Sequence, residues 1–300
     1  MGGGAWKKED YVSYSCSTRG IDSSCIDYST GSYTVNSHQD IFKQKTIAAE
    51  LNPYKVTREC CDSEEHPNTI PVILALDVTG SMGNAAKEVA TKLNVIMTDL
   101  YSKIKDVEFM IMGIGDFSYD DCPLQVSQFE SDIRIAEQMD KIYFESGGGG
   151  NSFESYTAAW YFGIKHCKLD CWKRGKKGII ITLGDENINP YIPKTRLERV
   201  TGDSLQADIE TKDLYKEATE KFDIYHIYVD HWGYQYADMD TWKDAFGENT
   251  QNIISSKIED LPTAISDIVI KASENGTTNM SDMVSTMVDA KTNEKGEYTW

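Results

Sequence analysis

Asp77, Thr79 and Ser81 alternate within one short segment, Asp77-Val78-Thr79-Gly80-Ser81-Met82-Gly83, directly after an apolar run. A carboxylate and two hydroxyls so spaced in a tight turn present three oxygens to one hard cation. A second carboxylate stands in Thr182-Leu183-Gly184-Asp185-Glu186. With Asp185 and waters the set suits Mg²⁺, which prefers octahedral oxygen coordination and keeps several waters; Mn²⁺ and Ca²⁺ are the alternatives. Hydroxyls in place of further carboxylates leave the cation electron-poor, able to accept one more strong ligand such as a partner protein's Asp or Glu. Two other segments offer oxygens. In Gly113-Ile114-Gly115-Asp116, Asp116 is either bonded to a ligand water or a turn residue. After Gly147-Gly148-Gly149-Gly150, Asn151 would coordinate through its amide oxygen or a water.

Such residues must be carried to one place by the elements that precede them. Ile70–Leu76 is a continuous apolar run, expected to be a strand buried on both faces. Ala85–Leu100 carries apolar residues at helical spacing, Phe109–Ile114 reads as a second buried strand, and Leu124–Phe129 alternates like an edge strand. Ile133–Ile142 fits a helix, and Ser152 is positioned to cap a helix running through Ala158, Phe162 and Ile164. Gly178–Leu183 and Ile224–Val229 are further strands, with Asn252–Ser255 a short one. Asp213–Phe222, Met239–Ala245 and Leu261–Ala272 are helices. Strands separated by helices imply right-handed crossovers, hence an α/β fold with a mostly parallel sheet covered on both faces. Ligands of such sheets bind beyond the carboxyl ends of the strands, where all four segments fall.

With that setting in place, Asp77-x-Thr79-x-Ser81 resembles the metal-ion-dependent adhesion site (MIDAS) of von Willebrand factor A (vWA) domains, usually Asp-x-Ser-x-Ser. The resemblance covers about two-thirds of the chain. It implies a Rossmann-like vWA fold with one antiparallel edge strand and Asp77, Thr79, Ser81 and Asp185 around Mg²⁺ or Mn²⁺. It further implies a non-enzymatic interaction module whose last helix shifts as the site closes. Two departures stand out: Asn151 occupies the middle loop where the family has Thr or Asp, and Gly184-Asp185-Glu186 replaces the commoner Thr-Asp-Gly. The Met-Gly-Gly-Gly start, Pro123-Leu124-Gln125-Val126 and Gln128-Phe129-Glu130 are similar to a group of bacterial and phage A-domain proteins, which implies no function beyond the domain.

Rival chemistries use the same residues. Ser81, Asp185 and His226 or His231 follow the chain order of an α/β-hydrolase triad, but Thr79 stands where the nucleophile elbow needs Gly. A structural or virion-assembly component with a vestigial site is the other alternative. The four glycines lack both the dinucleotide spacing and a Walker lysine. Cys167 and Cys171 share a helical face, yet zinc would need Cys60, Cys61 or His66 to complete four ligands.

Composition bounds the rest. The 300 residues are 40% hydrophobic and carry 48 acidic against 30 basic side chains, a formal charge of −18, which disfavours nucleic acid. No run approaches the roughly 20 apolar residues of a membrane helix. Seven cysteines, an odd count, and no apolar leader after Met1 suggest a cytoplasmic protein with reduced thiols. Residues 1–66 read as an irregular arm packed on the core, 67–273 as the domain and 274–300 as a polar tail. Oligomeric state is not legible. The charge is also polarised: Asp77, Asp116, Asp120, Asp121, Asp185 and Glu186 are expected at the carboxyl edge of the sheet, with Lys173, Arg174, Lys176 and Lys177 at the opposite, basic edge.

Overall fold

Val72, Leu74 and Leu76 pack into one apolar cluster and Ile73 and Ala75 into another, because successive side chains of a strand point to opposite faces. A strand apolar at every position therefore needs cover on both sides. The computed structural model describes residues 4–145, 151–230 and 237–274. Within them, one six-stranded sheet is built from β1 (Ile70–Asp77), β2 (Val107–Ile114), β3 (Leu124–Val126), β4 (Gly178–Gly184), β5 (Phe222–Asp230) and β6 (Ile253–Lys257). Their order is β6-β5-β4-β1-β2-β3. Every neighbouring pair is parallel except β3 against β2. The α/β reading and the antiparallel edge strand both hold.

Helices cover the two faces. They are α1 (Gly83–Thr91), α2 (Leu93–Lys103), α3 (Arg134–Met139), α4 (Thr157–His166), α5 (Lys194–Thr201), α6 (Thr211–Thr219), α7 (Met239–Phe246) and α8 (Leu261–Glu274). Val89 of α1, Ile96 of α2 and Ile265 of α8 share the Val72 cluster. Trp160 of α4, Leu214 of α6 and Trp242 of α7 share the Ile73 cluster. The segment before β1 is mostly irregular, with one helix at Lys8–Tyr14. It is tied down by buried polar contacts: the Tyr11 hydroxyl donates to the Ala90 carbonyl at 2.6 Å and Trp6 Nε1 to Asn94 Oδ1 at 2.8 Å. Arg19, itself buried, donates to both Asp140 oxygens at 2.6 and 2.8 Å.

Several boundaries move, each for a local reason. The helix expected over Ala85–Leu100 is two helices broken at Lys92 (φ −108°, ψ 14°). At the break Thr91 Oγ1 bonds back to the Lys87 and Glu88 carbonyls, a contact that bends helices. The edge strand stops at Val126 because the Ser127 hydroxyl takes the Ile111 amide at 2.8 Å, interrupting the backbone ladder. Ser152 does not cap a helix. Phe153–Glu154 pairs instead with Asn187–Ile188 as a small parallel ribbon, and α4 starts at Thr157. Helix α5 follows Pro193 in a stretch for which the sequence offers no helix signal; burying only Leu197 and Thr201, it shows no apolar stripe. Gly147–Gly150, His231 and the 275–300 tail lie outside the described residues.

Three of the four bases expected to make the opposite edge basic are already paired with acids. Lys173 pairs with Asp170 at 2.6 Å, Arg174 with Asp62, and Lys177 with Asp223 at 3.7 Å. Asp170 is three residues from Lys173, but Asp62 and Asp223 come from distant parts of the sequence, so counting by segment overstates the polarity. Among the described residues, no helix is long and apolar enough to cross a membrane.

Candidate metal centre

Asp77 is the last residue of β1, and the chain then turns through Val78 into a short 3₁₀ turn, Gly80–Met82, that leads into α1. The Val78 amide still bonds the Ile114 carbonyl at 2.9 Å, which keeps the start of this loop in line with the sheet. Asp77 Oδ1 accepts from both the amide and the hydroxyl of Thr79, at 2.9 and 2.6 Å. This side-chain turn is what holds the loop open and points the following hydroxyl outward. Thr79 Oγ1 lies 3.5 Å from Ser81 Oγ, and Ser81 Oγ donates to Asp185 Oδ1 at 3.2 Å. Four oxygen-bearing residues expected to converge do so. Asp77 and Asp185 are fully buried and Thr79 nearly so, whereas Ser81 is exposed: the carboxylates form the floor and a hydroxyl the mouth.

The floor has supports that the sequence did not single out. Tyr156, fully buried just before α4, donates its hydroxyl to Asp77 Oδ2 at 2.9 Å and accepts from the Glu186 amide at 3.3 Å. One phenol thus connects the ends of β1 and β4. Gly184 is required for this approach, since a Cβ there would overlap the Tyr156 ring and hydroxyl. Trp242 Nε1 donates to the Glu186 carbonyl at 3.0 Å, pinning the same loop from α7. Nothing in local spacing marks Tyr156 or Trp242, because each reaches the site only through the tertiary packing of its helix.

Asn151 and Asp116 are brought together, but with each other. Asn151 Nδ2 donates to Asp116 Oδ2 at 2.9 Å, and its amide oxygen accepts from the Phe153 amide at 3.1 Å. Asp116 Oδ1 accepts from the Ser118 amide at 2.8 Å. Among the described residues neither is hydrogen-bonded to Asp77, Thr79, Ser81 or Asp185. The middle loop instead contributes Glu154, which is buried with one oxygen lacking a hydrogen-bond partner. Asp120 is buried behind them, its carboxylate accepting the Asp116 amide at 2.7 Å.

So many buried acids at one edge repel. Burial, then the neighbouring Asp185, raises the Asp77 carboxyl above the usual range. Burial also raises Glu154, reinforced by Asp77, Asp120, Asp116 and Glu186. Burial pushes Asp120 up to about 6. Among the described residues no ion pair involves Asp77, and no group of three or more His, Cys, Asp or Glu is arranged to hold a metal ion. The donor set that does converge is two carboxylates and two hydroxyls. A hydroxyl that gives its proton to a carboxylate keeps its lone pairs for something else, which is the behaviour expected of a cation ligand.

The rival chemistries fare differently. His226 is buried in β5, its Nδ1 2.9 Å from Thr182 Oγ1, its Nε2 without a hydrogen-bond partner, and its ring stacked on Trp242 at 3.5 Å. It therefore makes no hydrogen bond to Ser81, and a triad through His226 is not assembled. His66, a candidate zinc ligand, contacts Asp106 and the Gly4 carbonyl through its two ring nitrogens.

In sequence the chain matches no protein-family model and no curated protein. In fold it is similar to several solved structures, vWA domains among them. The pilus adhesin SpaC of Lactobacillus rhamnosus GG superposes with a TM-score of 0.47 at 13% identity, covering 68% of this chain and 30% of that one. The vWF domain of the pilus tip protein Mfa5 of Porphyromonas gingivalis gives 0.43 at 10% identity, over 77% and 98%. Proximal thread matrix protein 1 of the mussel byssus, with a zinc-occupied MIDAS motif, gives 0.43 at 12% identity, over 68% and 46%. The match thus spans less than a third of the SpaC chain and less than half of the byssus protein.

Proposed function

We propose that Asp77, Thr79, Ser81 and Asp185 hold a divalent cation, Mg²⁺ first among candidates, and that the bound cation captures a carboxylate of a partner protein. The observation that carries this reading is the continuous run of oxygens from Asp77 through Thr79 and Ser81 to Asp185, at 2.6, 3.5 and 3.2 Å. Adjacent ligands on an Mg²⁺ octahedron with bonds of about 2.1 Å stand about 3 Å apart, so the last two spacings need little adjustment. Bound there, the cation would supply two positive charges to offset the two carboxylates and would offer an open position to a third. Asp77 would anchor the loop from below, Tyr156 would keep its carboxylate oriented, and the exposed Ser81 would stand next to the incoming ligand. Asp116 and Asn151 would brace the adjoining loop rather than coordinate directly. This chain would then act as an interaction module.

Isothermal titration of Mg²⁺ into wild type and Asp77→Asn decides the matter. Wild type is expected to release or take up heat saturably, with Asp77→Asn weakened at least about tenfold, the effect of losing one charge-assisted contact worth roughly 1.5–3 kcal/mol. Equal binding by the two proteins would sink the cation site.

A further inference from the structure

A groove of about 630 Å³ opens beside the cation loop. Gly80, the residue between Thr79 and Ser81, forms part of its wall, and the rest comes from the 38–45 and 143–145 segments. The groove is therefore continuous with the mouth of the candidate metal centre, yet built largely by the chain that precedes the sheet.

Its chemistry is the reverse of the site's. Lys43 and Lys45 line it, are exposed, and form no ion pair among the described residues. Glu145 also lines it, but its oxygens turn to the Asp121 and Cys122 amides, accepting at 3.4 and 2.6 Å. Between the charges lies an aromatic floor: the Phe144 ring is 4.8 Å from Phe42 and 5.1 Å from His38. Once a divalent cation offsets Asp77 and Asp185, the metal loop itself exerts little net pull on an approaching anion. Exposed lysines beside it restore that pull, because clustered charge of one sign steers the opposite sign and suppresses wrong partners.

We infer that this groove seats the stretch of partner chain flanking the captured carboxylate, and that the partner segment is acidic with an aromatic or large aliphatic side chain among its acids. The inference rests on the proposed cation site and adds to it the class of peptide it takes. Lys43 and Lys45 pair with flanking acids, while the Phe42–Phe144 floor takes the apolar side chain through ring contact and burial.

The test is selection from a soluble random octapeptide library on immobilised full-length chain in Mg²⁺, repeated with the double variant K43E/K45E and in EDTA. Both lysines are exposed, so the variant is expected to fold, and its Mg²⁺ titration verifies the neighbouring site. Wild type should enrich Asp and Glu together with an aromatic or large aliphatic residue. K43E/K45E should lose that enrichment and bind the selected peptides about tenfold more weakly, the scale of two reversed surface pairs. Undiminished enrichment by the variant, or no acidic enrichment by wild type, overturns the groove and leaves the cation reading to its own titration. Enrichment that vanishes in K43E/K45E but survives EDTA supports the groove and overturns carboxylate capture by the metal.

Discussion

Tyr156 shows how a single side chain can decide the geometry of a site it was not recognised as part of. Its hydroxyl is shared between Asp77 Oδ2, which is fully buried, and the amide of half-buried Glu186. Tyr156→Phe would leave a buried carboxylate oxygen short of a partner and the Glu186 amide without its phenol contact. Leaving buried polar groups unsatisfied costs about 1–3 kcal/mol, so urea unfolding should show a loss of that size. Because the Asp77 carboxylate would also be freed to rotate, Mg²⁺ affinity should fall with it. A variant as stable as wild type would show that the phenol only fills space. At this scale the alternating Asp77, Thr79 and Ser81 were legible from spacing alone, since a loop of five residues fixes its own side chains. Asn151 was not: its partner, Asp116, lies 35 positions away.

At the scale of elements, the chain before β1 behaves as a clamp rather than a loose arm. Arg19 is central to it, bonding both Asp140 oxygens, the Tyr11 and Tyr33 hydroxyls and the Ala90 carbonyl. Asp140 follows α3 and Ala90 lies in α1, so one guanidinium joins three separate pieces of chain. Arg19→Ala should cost about 3–5 kcal/mol, because a largely buried carboxylate loses its counter-charge. Hydrogen exchange should speed up first in residues 4–42 and only later in β1 and β4. Uniform acceleration across the sheet would mean that the segment is part of one cooperative core. Strand identities were readable because β1, β2 and β4 are apolar at nearly every position. The break at Lys92 and the ribbon at Phe153–Glu154 were not, since both depend on hydrogen bonds to partners that periodicity does not record.

The whole molecule carries the consequence of burying a titratable ring in its sheet. His226 has no exposure, and burial holds its imidazole well below the usual range. It is neutral in the folded chain, whereas in the unfolded chain it takes a proton near pH 6.5. Its contribution is therefore fully present above about pH 6.5 and is lost as pH falls below that value, at most about 1.4 kcal/mol per pH unit. Urea unfolding at pH 7.5 and 5.5 should show wild type losing about 1.4 kcal/mol more than His226→Gln across that interval. Equal losses would mean that the ring stays solvated enough to titrate normally. The comparison between proteins cancels the other groups that titrate in this range.

By itself the amino-acid sequence determined the parallel sheet, its apolar strands and the placement of four oxygen-bearing residues at strand ends. Those follow from contacts within a few residues and from the rule that a doubly covered sheet exposes its loops at the carboxyl edge. Tertiary structure alone decided which acids face one another and which bases are already neutralised. It was also needed to show that Tyr156 ties two strands together and that a lysine-bearing groove adjoins the Asp77–Ser81 loop. Most of these join residues far apart in the chain, and charge or hydrogen-bonding capacity counted along a sequence has no direction until the fold supplies the partner.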